Sequence, residues 1–230
     1  MADNKAHDAR SAVAIMAKAP RAGEVKTRLC PPLSLAEAAE LYRCFLLDKI
    51  AQVNALQRAT PAVSYSPSDA RQWFEDLTPS HFLLIPQRGD DLGARILSTF
   101  DQLFHHGYTQ VMVIDSDTPT LPTVCLEQAL ELMAQRHNDV VLGPTEDGGY
   151  YLIGLRRAHR GLFEHMPWST SQVLPETRRR SLQYGLTVAC TAYWYDIDMP
   201  DDLSRLRQSF DHVQDGFSRH TRRFFQEFRR

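Results

Sequence analysis

No apolar run in this sequence approaches the roughly 20 residues of a membrane span. Cysteine is scarce. Cys30, Cys44, Cys125 and Cys190 are scattered with no CxxC pair, which argues against a zinc site or a disulfide framework and suits a reducing cytoplasm. Excess charge is missing too: the formal net charge is −2, so no global field draws nucleic acid. There is no internal repeat and no low-complexity segment. Residues 1–11 are polar and lack an apolar core, so they read as a disordered lead-in rather than a signal peptide. The remainder, 12–230, is long enough for one domain with its own core. The 43% hydrophobic and 23% charged content of the full 230 residues is that of a soluble globular chain.

What is present centres on VMVIDSDTPTLP, Val111 to Pro122. A continuous apolar run reads as a strand buried on both faces. Carboxylates at its end, Asp115 and Asp117, fall where α/β sheets bind ligands. Hard oxygen ligands beside a phosphate would hold Mg²⁺ or Mn²⁺. The alternative is an Asp that caps the next helix or makes an Asx turn.

The phosphate would be cradled by the loop after the first apolar run, Ala12 to Lys18. That loop carries Gly23 with Lys18, Arg21, Lys26 and Arg28. Glycine permits close backbone approach, and the cations neutralise phosphate charge. It is not a Walker A loop, since Glu24 and Val25 separate the glycine from the lysine. A solvated basic loop is the competing reading.

Further on, Ser34 and Glu37 form a capping box. It opens a long helix with Leu35, Ala38, Leu41, Tyr42, Phe45, Leu46, Ile50, Val53 and Leu56 at helical spacing. Strands follow at 61–66 and 81–87. The loop Gln87–Arg95 opens a helix over 92–106, with Gly93 and Arg95 in its first turn; from spacing alone a simple N-cap by Asp90 or Asp91 is the favoured reading. A helix over 122–136 turns Val124 inward. VVLG and YYLIGL then flank Glu146-Asp147-Gly148-Gly149, where the glycines allow a tight turn or close ligand approach. The acids there offer a metal ligand or general base. Of Tyr150 and Tyr151, only one lines a site, because strand residues alternate. Ser169, Thr170 or Ser171 caps a helix toward Tyr184. The apolar stretch from Thr187 ends in Asp196-Ile197-Asp198, with both acids pointing the same way, and Pro200 starts another helix. In the tail, Phe217, Phe224 and Phe228 among arginines form an amphipathic helix. It docks on the body, on a second copy in a homodimer, or, less favoured, on a membrane surface.

These motifs together resemble the DUF2064 family of candidate glycosyltransferases, some linked to arsenosugar biosynthesis. The resemblance runs from about Ala14 to Leu203. It is carried by Lys18-Ala19-Pro20, Gly23, Lys26-Thr27-Arg28-Leu29, Gln87 with Asp91-Leu92-Gly93 and Arg95, and Ser116-Asp117-Thr118-Pro119. It continues through Gly143-Pro144, Asp147-Gly148-Gly149-Tyr150-Tyr151-Leu152, Trp168-Ser169-Thr170 and Asp196-Ile197-Asp198. The family usually has Gly where this chain has Asp115, which makes Asp115 an extra acid. The resemblance implies the GT-A, nucleotide-diphospho-sugar transferase fold: a single three-layer α/β domain with a mostly parallel, mixed sheet. It implies sugar transfer from a nucleotide-diphosphate sugar to a small-molecule acceptor.

On that reading Lys26 and Arg28 hold the diphosphate, helped by Lys18 and Gly23. Asp117 holds Mg²⁺ or Mn²⁺, with Asp198 as second ligand, and Asp147 is the base. Gly148 and Gly149 admit the ligand, and the Gly93 to Arg95 loop meets nucleobase or ribose. The same residues are similar to molybdenum-cofactor and phospholactate guanylyltransferases, which release pyrophosphate, although the LAGGxSxRM opening of many such enzymes is absent. A haloacid-dehalogenase reading of Asp115-Ser116-Asp117 wants a lysine downstream, and Lys5, Lys18, Lys26 and Lys49 all lie upstream.

Overall fold

The two uninterrupted apolar runs, Ser11–Lys18 (β1) and Gln110–Ile114 (β4), pair in parallel at the centre of a seven-stranded sheet. The computed structural model describes residues 10–210, 216 and 218–227. Between β1 and β4 the chain forms α1 (Leu35–Asn54), β2 (Thr60–Ser66), α2 (Arg71–Leu77), β3 (Leu83–Pro86) and α3 (Leu92–His105). After β4 come α4 (Thr123–Ala134), β5 (Val140–Pro144), β6 (Tyr150–Leu155), α5 (Val173–Gln183), β7 (Val188–Cys190), α6 (Pro200–Ser209) and α7 (Arg219–Glu227).

The strand order is β3-β2-β1-β4-β6-β5-β7, and β6 alone runs against the rest. Helices α1, α2, α4, α6 and α7 cover one face, and α3 and α5 the other. This is a three-layer α/β fold with a mostly parallel sheet. The chain leaves β1 toward β2 on one side and re-enters at β4 on the other. The β1/β4 crevice is therefore the switch point where such sheets take ligands. Because β6 is reversed, the β5–β6 turn joins the carboxyl ends of β1, β4 and β7 at one edge.

Helix α1 starts at the expected capping box: Ser34 Oγ accepts from Glu37 N, and Glu37 returns a bond to Ser34 N. Its stripe is buried except at Leu35, which is 48% exposed. Asp48, Lys49 and Gln52 are buried with it. Two local expectations change. Val124 points outward, 63% exposed. Gln172, not a hydroxyl residue, is the N-cap of α5, with Thr170 Oγ1 accepting from Gln172 N at 3.3 Å. Asp91 caps α3 by accepting from Ala94 N.

At the start of the chain, Ser11 already belongs to β1, Arg10 O accepts from Thr109 N, and residues 1–9 of the expected lead-in lie outside the described residues. So do Phe217, Phe228, Arg229 and Arg230 of the tail. The described part of the tail docks on the body. Asp48 of α1 accepts from His220 N, Thr221 N and Thr221 Oγ1 at 2.6–2.8 Å, which caps α7, and Phe224 and Phe225 are buried. Fully burying one such ring contributes about 1.5–3 kcal/mol. No described helix is long and apolar enough to cross a membrane.

Candidate active site

The loop after β1 folds back on itself. Gly23 has φ +82° and Lys26 φ +48°. The second is a left-handed conformation that a lysine adopts at a cost, and such strain concentrates at functional positions. Lys18 Nζ donates to Glu24 O at 2.9 Å. Arg21 pairs with Asp69, leaving it to the surface. Arg28 is exposed and has no partner among the described residues. Lys18, Lys26 and Arg28 line a depression of about 360 Å³, shared with Asp117, Asp198 and Ser169.

Lys26 is the centre of this depression. Its side chain is 6% exposed. Nζ lies 2.7 Å from Asp198 Oδ1, 2.9 Å from Asp117 Oδ1 and 2.8 Å from Ile197 O. Burial pushes the ammonium pKa down, but the two carboxylates outweigh it and raise it above its ordinary value. Spacing reasoning gave Lys26 to phosphate; here it lies against the two acids assigned to the metal. Main chain joins those acids as well, since Ile197 N donates to Asp117 O at 3.0 Å. Asp202 steadies the second acid by accepting from Asp198 N and Met199 N.

The Asp115–Pro122 segment is held from α1. Tyr42 Oη accepts from Lys18 N at 3.1 Å and bonds Ser116 Oγ at 2.8 Å, linking the ends of β1 and β4. Lys49 Nζ donates to Thr118 O and Thr118 Oγ1, and Gln52 Nε2 to Leu121 O. Thr118 Oγ1 donates to Asp115 Oδ1 at 2.7 Å. From the tail, Ser218 Oγ donates to Pro119 O. So Lys49, upstream in sequence, lies beneath the acid loop in space. Sequence reasoning missed Tyr42, Lys49 and Gln52. The available signal was polar groups inside the apolar stripe of α1, where a side chain needs a buried partner.

A second cavity, of about 230 Å³, lies on the other side of Asp117 and Ser169. Its acids are Asp115, Asp117, Asp147 and Asp196; Tyr150 and Trp168, edge to face at 6.4 Å, supply aromatic surface. Burial pushes Asp115 up to about 7 and Asp196 to about 6; neighbouring acids add to both shifts. Asp147 Oδ1 accepts from Thr145 Oγ1 and Gly149 N. Glu146 instead pairs with Arg205 of α6. Both tyrosines border this cavity, contrary to expectation. They still face opposite layers: Tyr150 meets Trp168, and Tyr151 Oη reaches Thr191. Ser169, between the two spaces, has φ +62°.

Asp196 and Asp198 lie beyond β7, which ends at Cys190; an isolated bridge, Thr145 to Trp194, brings their segment alongside the β5–β6 turn. Gly148 has φ +92°, and a Cβ there would stand 2.5 Å from Ser171 O, so the turn presses on the start of α5. Gly149 borders the cavity. Gly93 packs where a Cβ would meet Phe163 O at 2.6 Å, and Arg95 Nε donates to Gly89 O. The α3 residues that reach the cavity are Leu92 and Ile96. Among the described residues no three acids, histidines or cysteines form a ready metal cluster. The chemistry available is a two-carboxylate cation site between a cationic loop and an acid-rimmed cavity.

The crystal structure of a candidate nucleotide-diphospho-sugar transferase from Desulfovibrio desulfuricans G20 matches 94% of this chain and 94% of its own, with 30% identity and a TM-score of 0.86. CMP:2-keto-3-deoxy-manno-octonic acid synthetase complexed with CTP matches 89% of this chain and 100% of its own, at 13% identity and TM-score 0.54. A cytidylyltransferase from Leptospira borgpetersenii serovar Hardjo-bovis matches 95% of this chain and 94% of its own, at 10% identity and TM-score 0.58. The last two share the fold alone. No curated protein matches the sequence. The family described as uncharacterized proteins conserved in bacteria, DUF2064, matches residues 49–170. The fold is therefore that of nucleotide-diphospho-sugar transferases, and the chain belongs to the DUF2064 family.

Proposed function

We propose that this protein is a glycosyltransferase that moves a sugar from a nucleotide-diphosphate sugar to a small-molecule acceptor, using Mg²⁺ or Mn²⁺. The observation that carries this reading is the Lys26 ammonium held between Asp117 and Asp198. A buried cation already occupies the space between two hard oxygen donors. Asp117 Oδ1 is buried, and the Lys26 contact lacks hydrogen-bond alignment. Two carboxylates completed by substrate phosphates suit Mg²⁺ or Mn²⁺, so the residues fit the ion. Asp117 and Asp198 would hold it, and when bound it would neutralise charge on the leaving diphosphate.

Displaced from the acids, Lys26 would turn to the diphosphate beside Arg28 and Lys18. Gly23 would let the backbone approach it. Asp147, steadied on Oδ1 by Thr145 and Gly149, would take the acceptor's proton through Oδ2. Gly148 and Gly149 keep that wall close to the ligand. The Gly93 to Arg95 turn would serve nucleobase or ribose indirectly, by setting Leu92 and Ile96 at the cavity.

The alternative is a nucleotidyltransferase that releases pyrophosphate, favoured by the cytidylyltransferase-like fold. The two reactions break different bonds. Many transferases slowly hydrolyse their donor without acceptor, so a panel of nucleotide sugars with Mn²⁺ should yield nucleoside diphosphate, lost in Asp117→Asn. Pyrophosphate formed from a nucleoside triphosphate, also lost in Asp117→Asn, would overturn this reading.

A further inference from the structure

The two spaces beside Asp117 differ in their charge: one is mixed, the other acidic. Cations and acids mix around the loop: Lys18, Lys26 and Arg28 stand with Glu24, Asp117 and Asp198. Around the 230 Å³ cavity every charged lining residue is an acid, namely Asp115, Asp117, Asp147 and Asp196. Among the described residues no Lys, Arg or His lines it. Two ammoniums stand behind these acids without lining the cavity: Lys26 Nζ is 2.9 Å from Asp117 Oδ1 and also on Asp198 and Ile197 O, and Lys49 Nζ, whose charge acts on Asp115, donates to Thr118 and Gln52. Aromatic surface from Tyr150 and Trp168 completes the cavity, and the Tyr150 hydroxyl is buried there without a well-aligned partner among the described residues.

We propose that this cavity takes a hydroxyl-bearing molecule with no negative charge, and that Asp196 and Asp147 make it reject phosphate and carboxylate groups. Carboxylates accept from hydroxyls, and aromatic rings cover the apolar faces of a small polyol. A phosphate ester would bring its anion against a wall whose charged lining residues are acids, with Asp147 and Asp196 facing it, where counter-charges gather and like charges are depleted. The inference rests on the transferase reading, in which the hydroxyl belongs to the acceptor. It gives Asp196 a specificity-determining role. A nucleotidyltransferase for phosphorylated acceptors would need a cation at this wall.

Trp168 reports on the cavity directly. Its fluorescence, taken as the difference between the parent and Trp168→Phe, can be quenched with iodide, caesium or neutral acrylamide. Relative to a free tryptophan amide, iodide should quench at least about threefold less than acrylamide, and caesium no less. Asp196→Asn and Asp147→Asn should each raise iodide access. Equal access of iodide and acrylamide in the parent would overturn the inference. A second measurement does not depend on Trp168: nucleoside diphosphate release with Mn²⁺ and paired acceptors, such as glucose against glucose 6-phosphate and glycerol against glycerol 3-phosphate. Faster release with any phosphate ester than with its parent alcohol also overturns it. Iodide exclusion without cleavage of any nucleotide sugar would support the charge rule and sink the transferase reading. Cleavage together with equal iodide access would do the reverse.

Discussion

The backbone N–H of Ile197 donates to the carbonyl of Asp117 at 3.0 Å. The two acid-bearing segments are thus joined by main chain and do not depend on Lys26 to stay together. Replacing Lys26 should leave the pair in place and remove its competitor. Lys26→Met should tighten Mn²⁺ binding about tenfold or more, since a charge-assisted hydrogen bond contributes about 1.5–3 kcal/mol. It should weaken nucleoside diphosphate binding and lower the ligand-free melting temperature, because two carboxylates then face each other unrelieved. Titration calorimetry with Mn²⁺ alone and with the diphosphate checks both signs. Weaker Mn²⁺ binding in the variant would show that Lys26 supports the site rather than filling it.

Asp147→Asn should separate chemistry from binding. Loss of a general base costs about 10²–10⁴ in turnover, while the Asn amide oxygen can still accept from Thr145 and Gly149. Nucleoside diphosphate affinity should stay within about twofold, since Asp147 is on the cavity side and not among the loop cations. Equal losses in turnover and affinity would make Asp147 a binding residue.

Asp115 gives the ligand-free protein a pH dependence. Its carboxyl is pushed from 3.8 to about 7, chiefly by burial. Between those values the folded protein holds a proton that the unfolded chain has released, so stability falls as pH rises. The contribution is complete below about pH 4 and lost above about pH 7. Asp115→Asn cannot ionise, so the melting temperatures of parent and variant should diverge upward through this window, with the parent losing ground. Parallel curves would contradict the raised carboxyl of Asp115.

Asp48→Asn places an amide donor against the donors His220 N and Thr221 N. It should cost about 1.5–3 kcal/mol, the scale of a hydrogen bond to a charged group, read as a lower urea midpoint. Ser218 reaches Pro119 O beside the acid loop, so Mn²⁺ affinity should also fall in this variant. Unchanged stability would mean that the Asp48 contacts do not hold α7 on the body.

The strands at the sheet centre were legible because β1 and β4 are buried on both faces and carry unbroken apolar runs. Helix starts at Ser34 and Asp91 were legible because capping is local chemistry. The acids after β4, in the β5–β6 turn and after β7 could each be suspected from position, yet their grouping could not. Lys26 and Asp198 lie more than half the chain apart, and no spacing rule couples them. Tyr42 and Lys49 were hidden for another reason: they sit at core spacing on α1, and periodicity reports burial without saying what a buried hydroxyl or ammonium binds. Val124 shows the converse, an apolar residue at helical spacing that faces solvent.

The reversed strand β6 has a consequence for how this site can diverge. Asp147 sits on a tight hairpin, where Thr145 N donates to Gly149 O, and lengthening that turn would unpair β5 from β6. The loops after β1 and β7 are connections that accept insertions at little cost, since loop closure grows only slowly with length. Relatives of this protein should therefore vary the diphosphate side by adding and deleting residues. They should change the wall around Asp147 by exchanging one side chain for another, so its backbone path stays constant while its chemistry shifts.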